Sequence, residues 1–291
     1  MDNLPEPMSF ETALEKFVKH LESHNRSSAT RIAYGSDLSQ LRDHMTEKRI
    51  TQATTVQNEH LKEYVVHLFS KNYTSKSISR KINSIKTFFR YLHQEKIVFV
   101  NPAEELSHPH YDTKPPRILS PEEYRSLRDA VRLDIRISAI VEVLLQTGMR
   151  ISELANLRVE DVRKNELFIR SQENNPARTI PVSKAASTAL SNYQSMRPDV
   201  KDDHLFVTKT GRPLLIRNIR TSVDRYFKKA GIKDVKVNDL RHTFIAHQLK
   251  NGVHPEVVHK HVGHKRLSST QKYIEHLEIK EEFTLTRIIE L

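Results

Sequence analysis

Apolar residues recur every three or four positions through the N-terminal third of the chain, which is the period of an amphipathic helix. The first series runs from Phe10 to Leu21, and three longer series follow over residues 27–48, 56–72 and 74–95. Glycine is rare, with 6 in 291 residues, and the joins between the series are short. The pattern therefore predicts four amphipathic helices packed as a small bundle.

The apolar positions of each series are expected to face the core of this bundle. The second and third series contribute Ile32, Leu38, Leu41, Met45, Leu61, Val65, Leu68 and Phe69. The fourth series repeats the pattern between Ile78 and Leu92.

The polar side of the fourth series carries a basic stripe, composed of Lys76, Arg80, Lys86 and Arg90 with Asn83 and Thr87 between them. Such a stripe is typical of an ordinary solvated helix face. It is also what a helix needs to lie along a phosphate backbone or enter a groove. In a chain that acts on DNA, the second interpretation is favoured.

Four prolines interrupt the helical periodicity between Asn101 and Leu119. Prolines among polar residues are typical of a linker. We therefore predict an N-terminal helical DNA-binding domain over residues 1–101, a linker over 102–118, and a second domain over 119–291.

The second domain has clear helix boundaries in its sequence. Ser120 and Glu123 have the spacing of a capping box, which predicts that a helix begins after Ser120. A strongly apolar helix is expected over 135–145, and Gly148 is expected to end it. Arg150 would then lie in a turn at the start of the next short helix.

Two short β-strands are predicted over 167–170 and 178–182, on either side of a polar turn. The last segment, residues 279–291, has the pattern of a short amphipathic tail. The predicted fold class is mainly α with a small β-sheet (α+β).

The composition narrows the choice of partner. The net charge is +11, the pI is about 9.7 and the mean hydropathy is −0.59. Because both predicted domains are basic, a polyanion is favoured as partner, and a nucleic acid is the leading candidate.

There is no cysteine, which excludes disulfides and thiol chemistry. The first residues lack the pattern of a signal peptide, and no segment approaches the ~18 apolar residues of a membrane span. We expect a cytoplasmic protein that does not act at a membrane.

Four residues of the second predicted domain have the chemistry to break a DNA strand. Arg150 and Arg241 can neutralise the non-bridging oxygens of a phosphate, because a guanidinium binds two oxygens at once. Tyr273 is a candidate nucleophile, and His264 completes the candidate catalytic set. Alone, each has a plausible packing role, so the prediction rests on their combination.

The segments around these residues resemble the motifs of the tyrosine recombinases, also called the phage integrase family. They are Thr-Gly-Met-Arg-Ile-Ser-Glu-Leu at 147–154, Asn-Asp-Leu-Arg-His at 238–242, Val-Gly-His at 262–264 and Ser-Thr-Gln-Lys-Tyr at 269–273. The N-terminal bundle is similar to the family's SAM-like core-binding domain. The resemblance covers nearly the whole chain, and the compact form is most similar to Xer-type members.

The resemblance implies a site-specific recombinase that forms a 3′-phosphotyrosyl link at Tyr273 and uses no metal, ATP or other cofactor. The two domains would close around duplex DNA, and four protomers would exchange strands through a Holliday junction, as a homo-oligomer or with a related recombinase. The tail would dock on a neighbouring protomer. The location would be the cytoplasm of a prokaryote, at the nucleoid. Glu153 and His242 would give structural support. Chromosome-dimer resolution and the movement of a mobile element both stay open.

Two positions depart from the family pattern. Where the family has a general-acid lysine, this chain has Glu173, flanked by Gln172 and Asn174 in place of glycines. A carboxylate would repel the phosphate at neutral pH. Arg170, Arg178 and Lys209 are candidates to take over the role of this lysine.

The second departure is Asn238, at a position where the family commonly has histidine. An amide can hydrogen-bond a phosphate oxygen but cannot exchange a proton near pH 7. Asn238 is nevertheless kept among the candidate catalytic residues.

Two further functions compete with the recombinase. A catalytically weakened relative would keep the DNA-binding surfaces and act as a regulatory or architectural protein. A metal hydrolase would use His259, His261 and His264, but no accompanying carboxylate motif supports it. We expect no metal site.

Overall fold

The computed structural model describes residues 7–112, 114–172, 175–280 and 282–291. Two compact units are present, Met1–Thr113 and Lys114–Leu291. The boundary between them falls within the segment that the sequence marks as a linker.

The N-terminal unit contains four long helices, as predicted: α1 (Phe10–Ser23), α2 (Ser28–Glu47), α3 (Asn58–Ser70) and α4 (Ser75–Gln94). A short 3-10 helix, Ala53–Thr55, precedes α3. Hydroxyls cap three of the helices, because the side chains of Ser9, Ser27 and Thr74 accept hydrogen bonds from the first turns of α1, α2 and α4.

Two predicted core positions of this unit are wrong. Ile32 is 73% exposed and Phe69 is 47% exposed, whereas Leu38, Leu41 and Leu68 are buried. Ile32 lies six positions before Leu38, and Phe69 lies one position after Leu68. At about 100° per residue, both side chains fall outside the buried stripe of their helix.

A buried ion pair joins α2 to α4. The Asp37 carboxylate accepts hydrogen bonds from Lys81 Nζ at 3.0 Å and from Ser84 Oγ at 3.0 Å, and it also pairs with Arg80. Both Asp37 and Lys81 are 2% exposed. Since a buried charge needs a partner, this ion pair fixes the orientation of α4 about its own axis. Lys76 and Arg90 consequently lie on its exposed face.

The second unit begins with α5 (Pro121–Val131), α6 (Ile135–Thr147) and the short α7 (Ile151–Ala155). The predicted capping box is confirmed, because Ser120 and Glu123 exchange backbone-to-side-chain hydrogen bonds. Gly148 ends α6 in the left-handed conformation, at φ 59°. The helix α6 is buried along most of its length.

A three-stranded antiparallel sheet follows a 3-10 helix, Val159–Asp161, in the order β1 (Val162–Arg163), β2 (Glu166–Ile169) and β3 (Arg178–Pro181). The two predicted strands are confirmed to within a residue at each end. The two-residue β1 was missed, because it is too short to show an alternating pattern.

Five further helices complete the unit: α8 (Lys184–Met196), α9 (Ile216–Lys229), α10 (Val237–Lys250), α11 (Pro255–Val262) and α12 (Ser268–His276). The central helix α6 packs against α8 and α10. The predicted fold class, mainly helical with a small sheet, is confirmed. Among the described residues, no helix combines the length and the apolar character needed to cross a bilayer.

The C-terminal tail packs on its own unit in this single chain. Leu285 forms a parallel bridge with Val253, and Gln248 exchanges two hydrogen bonds with the backbone of Ile289, at 2.8 and 2.9 Å. Gln248 is fully buried. Docking of the tail on a neighbouring protomer stays a prediction.

Candidate active site

Four segments of the second unit supply the predicted site residues. Arg150 precedes the first turn of α7, and His264 follows the last turn of α11. Tyr273 lies in α12. The helix α10 supplies Asn238, Arg241 and His242, and side chains three and four positions apart on a helix share a face.

Arg241 is held in place from within the core. It is 6% exposed, and its Nη1 donates a hydrogen bond to the Gly148 carbonyl at 2.6 Å. Burial, with the nearby charge of Arg150, lowers its pKa to about 9. The guanidinium is still charged at neutral pH. It can therefore bind an anion without moving from the position that the Gly148 carbonyl gives it.

Arg150 is fixed at two points. Its Nη2 donates to the Gly263 carbonyl at 2.8 Å, and its Nη1 donates to Glu153 Oε1 at 3.1 Å. The Arg150 side chain is 29% exposed. It therefore sits between the interior and the surface, as a side chain that binds a phosphate must.

A second arginine contacts the same carboxylate. Arg178, at the start of β3, donates to both oxygens of Glu153, at 2.9 and 3.0 Å, and to the His261 carbonyl at 2.8 Å. Sequence reasoning named Arg178 only as a candidate for the role of the missing lysine. Its contacts make it a support for Arg150, because both arginines share the Glu153 carboxylate.

Arg170 and Lys209, which the sequence also left as candidates for the role of the lysine, lie elsewhere. Arg170 donates to Asp161 at 3.0 Å and pairs with Glu160. Lys209 lines a cavity with Leu133, and none of the candidate catalytic residues lines that cavity. Neither side chain is brought to the site.

Glu173 lies outside the described residues, as does Asn174. On either side of them, the backbones of Gln172 and Asn175 exchange hydrogen bonds at 3.0 and 2.8 Å. The Gln172 side chain also donates to the Ser152 carbonyl at 3.3 Å. The base of this turn is thus attached to α7, which follows Arg150.

Removing the Glu153 carboxylate is expected to destabilise this unit strongly. Glu153 is 3% exposed, and Glu153→Ala would leave two arginines without their shared partner. We expect the free energy of unfolding to fall by about 3 kcal/mol. The matched variant Glu160→Ala, which removes an exposed partner of Arg170, should cost less than about 1 kcal/mol. A similar cost for both in urea denaturation would contradict this role of Glu153.

The stability from Glu153 should depend on pH in a defined direction. Burial raises the pKa of Glu153, but hydrogen bonds and charges from Arg178 and Arg150 outweigh burial and hold it below its ordinary value of 4.5. The ionised Glu153 therefore contributes its full share to the free energy of unfolding above pH 4.5. This share is lost as the pH falls through the lowered pKa of Glu153. The difference between wild type and Glu153→Ala should shrink over that acidic interval.

Gly263 requires a glycine for two reasons. Its φ is 66°, and a Cβ added there would lie 2.7 Å from Arg178 Nη1. Gly231 has a φ of 73° with nothing within 4 Å of an added Cβ. Gly231→Ala should therefore cost only the left-handed strain of about 1 kcal/mol, and Gly263→Ala about 1–3 kcal/mol more. Equal losses in urea denaturation would contradict this close approach to Arg178.

His264 faces the candidate nucleophile. Its Nδ1 lies 2.8 Å from the hydroxyl of the buried Thr270, and its ring stacks on Tyr273 with centroids 6.4 Å apart. Burial and the charges of Arg241 and Arg150 lower its pKa to about 3. His264 is therefore neutral at pH 7. If Thr270 donates to Nδ1, His264 keeps an Nε2–H for an oxygen acceptor.

Tyr273 is 8% exposed, and burial raises the pKa of its hydroxyl to about 12. The hydroxyl lies 2.5 Å from Nδ1 of His242, whose Nε2 lies 2.7 Å from Nδ2 of Asn238. The sequence assigned His242 to structural support alone and did not anticipate this contact. The four-residue spacing from Asn238 signals only the contact between these two side chains of α10.

The three histidines of the metal hypothesis do not converge. His261 is buried with its Nε2 3.1 Å from the Thr147 carbonyl, and His264 bonds with Thr270. Within the described ranges, the one group with metal-ligand spacing is Asp202, Asp203 and His204, which contains none of the predicted site residues.

Comparison with known proteins identifies two family models. Residues 117–279 match the phage integrase family, and residues 14–96 match the phage integrase N-terminal SAM-like domain.

Two relatives are similar over most of their length. Tyrosine recombinase XerC of Listeria innocua is 32% identical over 282 residues, which are 91% of this chain and 94% of the relative. Tyrosine recombinase XerD of Staphylococcus aureus is 30% identical over 275 residues, covering 90% and 93%.

Solved structures of lambda integrase have the same fold. A dimer bound to a core site has a TM-score of 0.76 and 14% identity, covering 99% of this chain and 82% of that one. A tetramer bound to a Holliday junction has a TM-score of 0.72 and 14% identity, covering 89% and 78%.

Proposed function

This chain belongs to the phage integrase family and is a tyrosine recombinase, and we propose that it cuts and rejoins duplex DNA through Tyr273. The phenolic oxygen attacks the scissile phosphate and forms a 3′-phosphotyrosyl bond, and the 5′-hydroxyl leaves. In the reverse step, a 5′-hydroxyl attacks this bond and restores the strand. Since the phosphodiester energy is kept in the covalent link, neither ATP nor a metal is required.

The observation that carries this proposal is the setting of Tyr273. Its buried hydroxyl lies within the electrostatic influence of the fixed Arg241 guanidinium, and its ring stacks on the ring of His264. Arg241 and Arg150 bind the two non-bridging oxygens and stabilise the charge that builds in the transition state. His264 donates a further hydrogen bond from its neutral ring. Glu153 and Arg178 hold Arg150.

The N-terminal unit is proposed to bind the same DNA as a core-binding domain of residues 1–101, joined by the linker 102–118 to the catalytic domain of 119–291. The exposed basic face of α4 supports this. Lys86 is less available for DNA, since its Nζ donates a hydrogen bond to the Glu104 carbonyl of the same unit at 3.1 Å. Lys76, Arg80 and Arg90 are exposed.

The salt dependence of DNA binding should separate these side chains. Lys76→Ala and Arg90→Ala should each weaken binding to all sequences and reduce the slope of log K against log salt by about 1. Arg80→Ala should change the slope less, because Asp37 already offsets the charge of Arg80. Unchanged slopes for Lys76→Ala and Arg90→Ala would contradict DNA contact by this face.

Assembly and location complete the proposal. A tetramer of this chain, or of this chain with a related recombinase, would hold two duplexes, as the Holliday-junction complex of lambda integrase suggests. The bacterial origin of the XerC and XerD relatives supports a cytoplasmic location at the chromosome. The retained Arg150, Arg241, His264 and Tyr273 favour a recombinase over a relative that binds without cutting.

Strand exchange tests the proposed function directly. A binding site is first selected from a random duplex library and from DNA flanking the gene. Two labelled duplexes carrying that site are then incubated with the protein in EDTA without ATP. We expect recombinant duplexes from the wild type. Specific binding without strand cleavage or exchange would overturn the recombinase and favour a binding protein.

A further inference from the structure

Three side chains form a line that ends at the nucleophile. Nδ2 of Asn238 lies 2.7 Å from Nε2 of His242, and Nδ1 of His242 lies 2.5 Å from the Tyr273 hydroxyl. Asn238 is exposed, His242 is half-buried and Tyr273 is buried. The line therefore runs from the surface to the reacting oxygen.

Tyr273 needs a proton acceptor more than an exposed tyrosine would. Burial raises the pKa of its hydroxyl to about 12, although the charge of Arg241 partly opposes this rise. A phenol of this kind is almost fully protonated at pH 7, and a protonated phenol is a weak nucleophile. A base within hydrogen-bond reach removes this obstacle.

His242 has the protonation state that a base requires. Burial lowers its pKa, Arg241 lowers it further and Asp239 partly opposes them. The ring is therefore neutral at pH 7 and has one nitrogen with a free lone pair. The ionisable groups that influence this ring are Asp239, Arg241, His264 and Tyr273.

The amide of Asn238 decides which nitrogen of His242 has the lone pair. In the structure Nδ2 of Asn238 faces Nε2 of His242, an orientation in which the amide donates and the His242 proton lies on Nδ1. Rotation of the amide by 180° places Oδ1 there instead, where it accepts a hydrogen bond from Nε2–H and leaves Nδ1 free for the tyrosine proton. The two orientations have nearly the same shape, so the hydrogen-bond network selects between them.

We propose that His242 is the general base for Tyr273, and that Asn238, with its amide rotated so that Oδ1 faces Nε2, is a positioning residue that holds His242 in the base-competent tautomer. This inference rests on the proposed function. In cleavage, the Tyr273 O–H bond breaks and its proton passes to His242 Nδ1. The phenolic oxygen forms a bond to phosphorus, the bond from phosphorus to the 5′ oxygen breaks, and that oxygen takes a proton from solvent water. In rejoining, the His242 imidazolium returns its proton to the departing tyrosine oxygen.

His264 is a poorer acceptor for this proton. Its Nδ1 is occupied by the Thr270 hydroxyl, and its ring stacks against Tyr273. Asn238 itself cannot accept the proton at neutral pH. His242 consequently takes over a role for which the amide at 238 is unsuited.

The test uses His242→Asn, which puts an amide near the place of Nδ1 but cannot take up a proton. The matched control is His276→Asn, a histidine of α12 that makes no side-chain hydrogen bond in the described part of the chain. Rates of covalent adduct formation are measured on a nicked duplex with the normal 5′ oxygen. The same duplex is then tested with a bridging 5′ sulfur, a leaving group that needs no proton.

His242→Asn should slow adduct formation by about 10²-fold or more on both duplexes, and His276→Asn should not. Wild-type rates should also fall at acidic pH as His242 becomes protonated, and this dependence should disappear in His242→Asn. The role of His242 as base would be overturned if His242→Asn formed the adduct at the wild-type rate. It would also be overturned if the 5′ sulfur brought the slowed rate of His242→Asn back to that of the wild type. If the wild type forms no adduct on either duplex, the proposed function fails instead.

A change in folding is separated from a change in chemistry by altering the nucleophile. 3,5-Difluorotyrosine at position 273 has a more acidic hydroxyl and depends less on a base. We expect 3,5-difluorotyrosine to raise the rate of adduct formation by a larger factor in His242→Asn than in the wild type. No restoration in a variant that binds DNA and unfolds like the wild type would indicate a structural role and overturn the proposal.

Discussion

Tyr273→Phe is expected to abolish the covalent protein–DNA adduct while leaving DNA affinity unchanged. The substitution removes only the oxygen that attacks phosphorus, and the ring can still pack beside His264. Loss of the hydrogen bond to His242 should lower the free energy of unfolding by about 1 kcal/mol. Adduct yield on a nicked duplex, measured by denaturing gel, checks the prediction.

Tyr226→Phe is the matched control for this substitution. The Tyr226 hydroxyl also donates a side-chain hydrogen bond, to Asp134 at 3.1 Å, but it lies on α9 away from the predicted site residues. Its loss should leave the adduct yield unchanged. An adduct formed by Tyr273→Phe at the wild-type rate would mean that another side chain attacks the phosphate.

Arg241→Lys is expected to slow adduct formation by about 10²- to 10³-fold. The Arg241 guanidinium is buried and oriented by the Gly148 carbonyl, so it offers donors in a fixed plane to the phosphate. A lysine at this position keeps a positive charge but loses the planar fork that binds two oxygens. Rates measured at saturating protein separate this effect from weaker binding.

Arg128→Lys provides the comparison at a similar bidentate arginine. Arg128 donates to both oxygens of Glu142, at 2.9 and 2.8 Å, apart from the candidate catalytic residues. The substitution Arg128→Lys should lower the free energy of unfolding but have little effect on the rate of adduct formation in the protein–DNA complex. Equal rate losses in the two variants would indicate that Arg241 acts through folding alone.

Local signals made most of the fold predictable from the sequence. The capping box of Ser120 and Glu123 and the left-handed Gly148 depend on a few neighbouring residues, and both occur where the sequence placed them. The exposed positions of Ile32 and Phe69 were missed, because apolar residues adjacent to a stripe resemble members of it.

The sequence alone predicts candidate reacting groups but few of the side chains that support them. Tyr273 and the two arginines stand in distinctive local motifs, which sequence alone can identify. The pairing of Arg178 with Glu153 joins residues 25 positions apart, and the contact of His242 with Tyr273 spans 31. Such contacts depend on how β3, α10 and α12 pack, and no local pattern encodes them.

Identification of the residue that becomes attached to DNA decides whether Tyr273 is the nucleophile. The wild-type adduct is formed on a nicked duplex in EDTA without ATP, digested with protease and nuclease, and analysed by mass spectrometry. We expect a nucleotide linked through its 3′ phosphate to Tyr273. Attachment at another residue, or specific binding with no adduct even when the leaving group is a 5′ thiol, would contradict it.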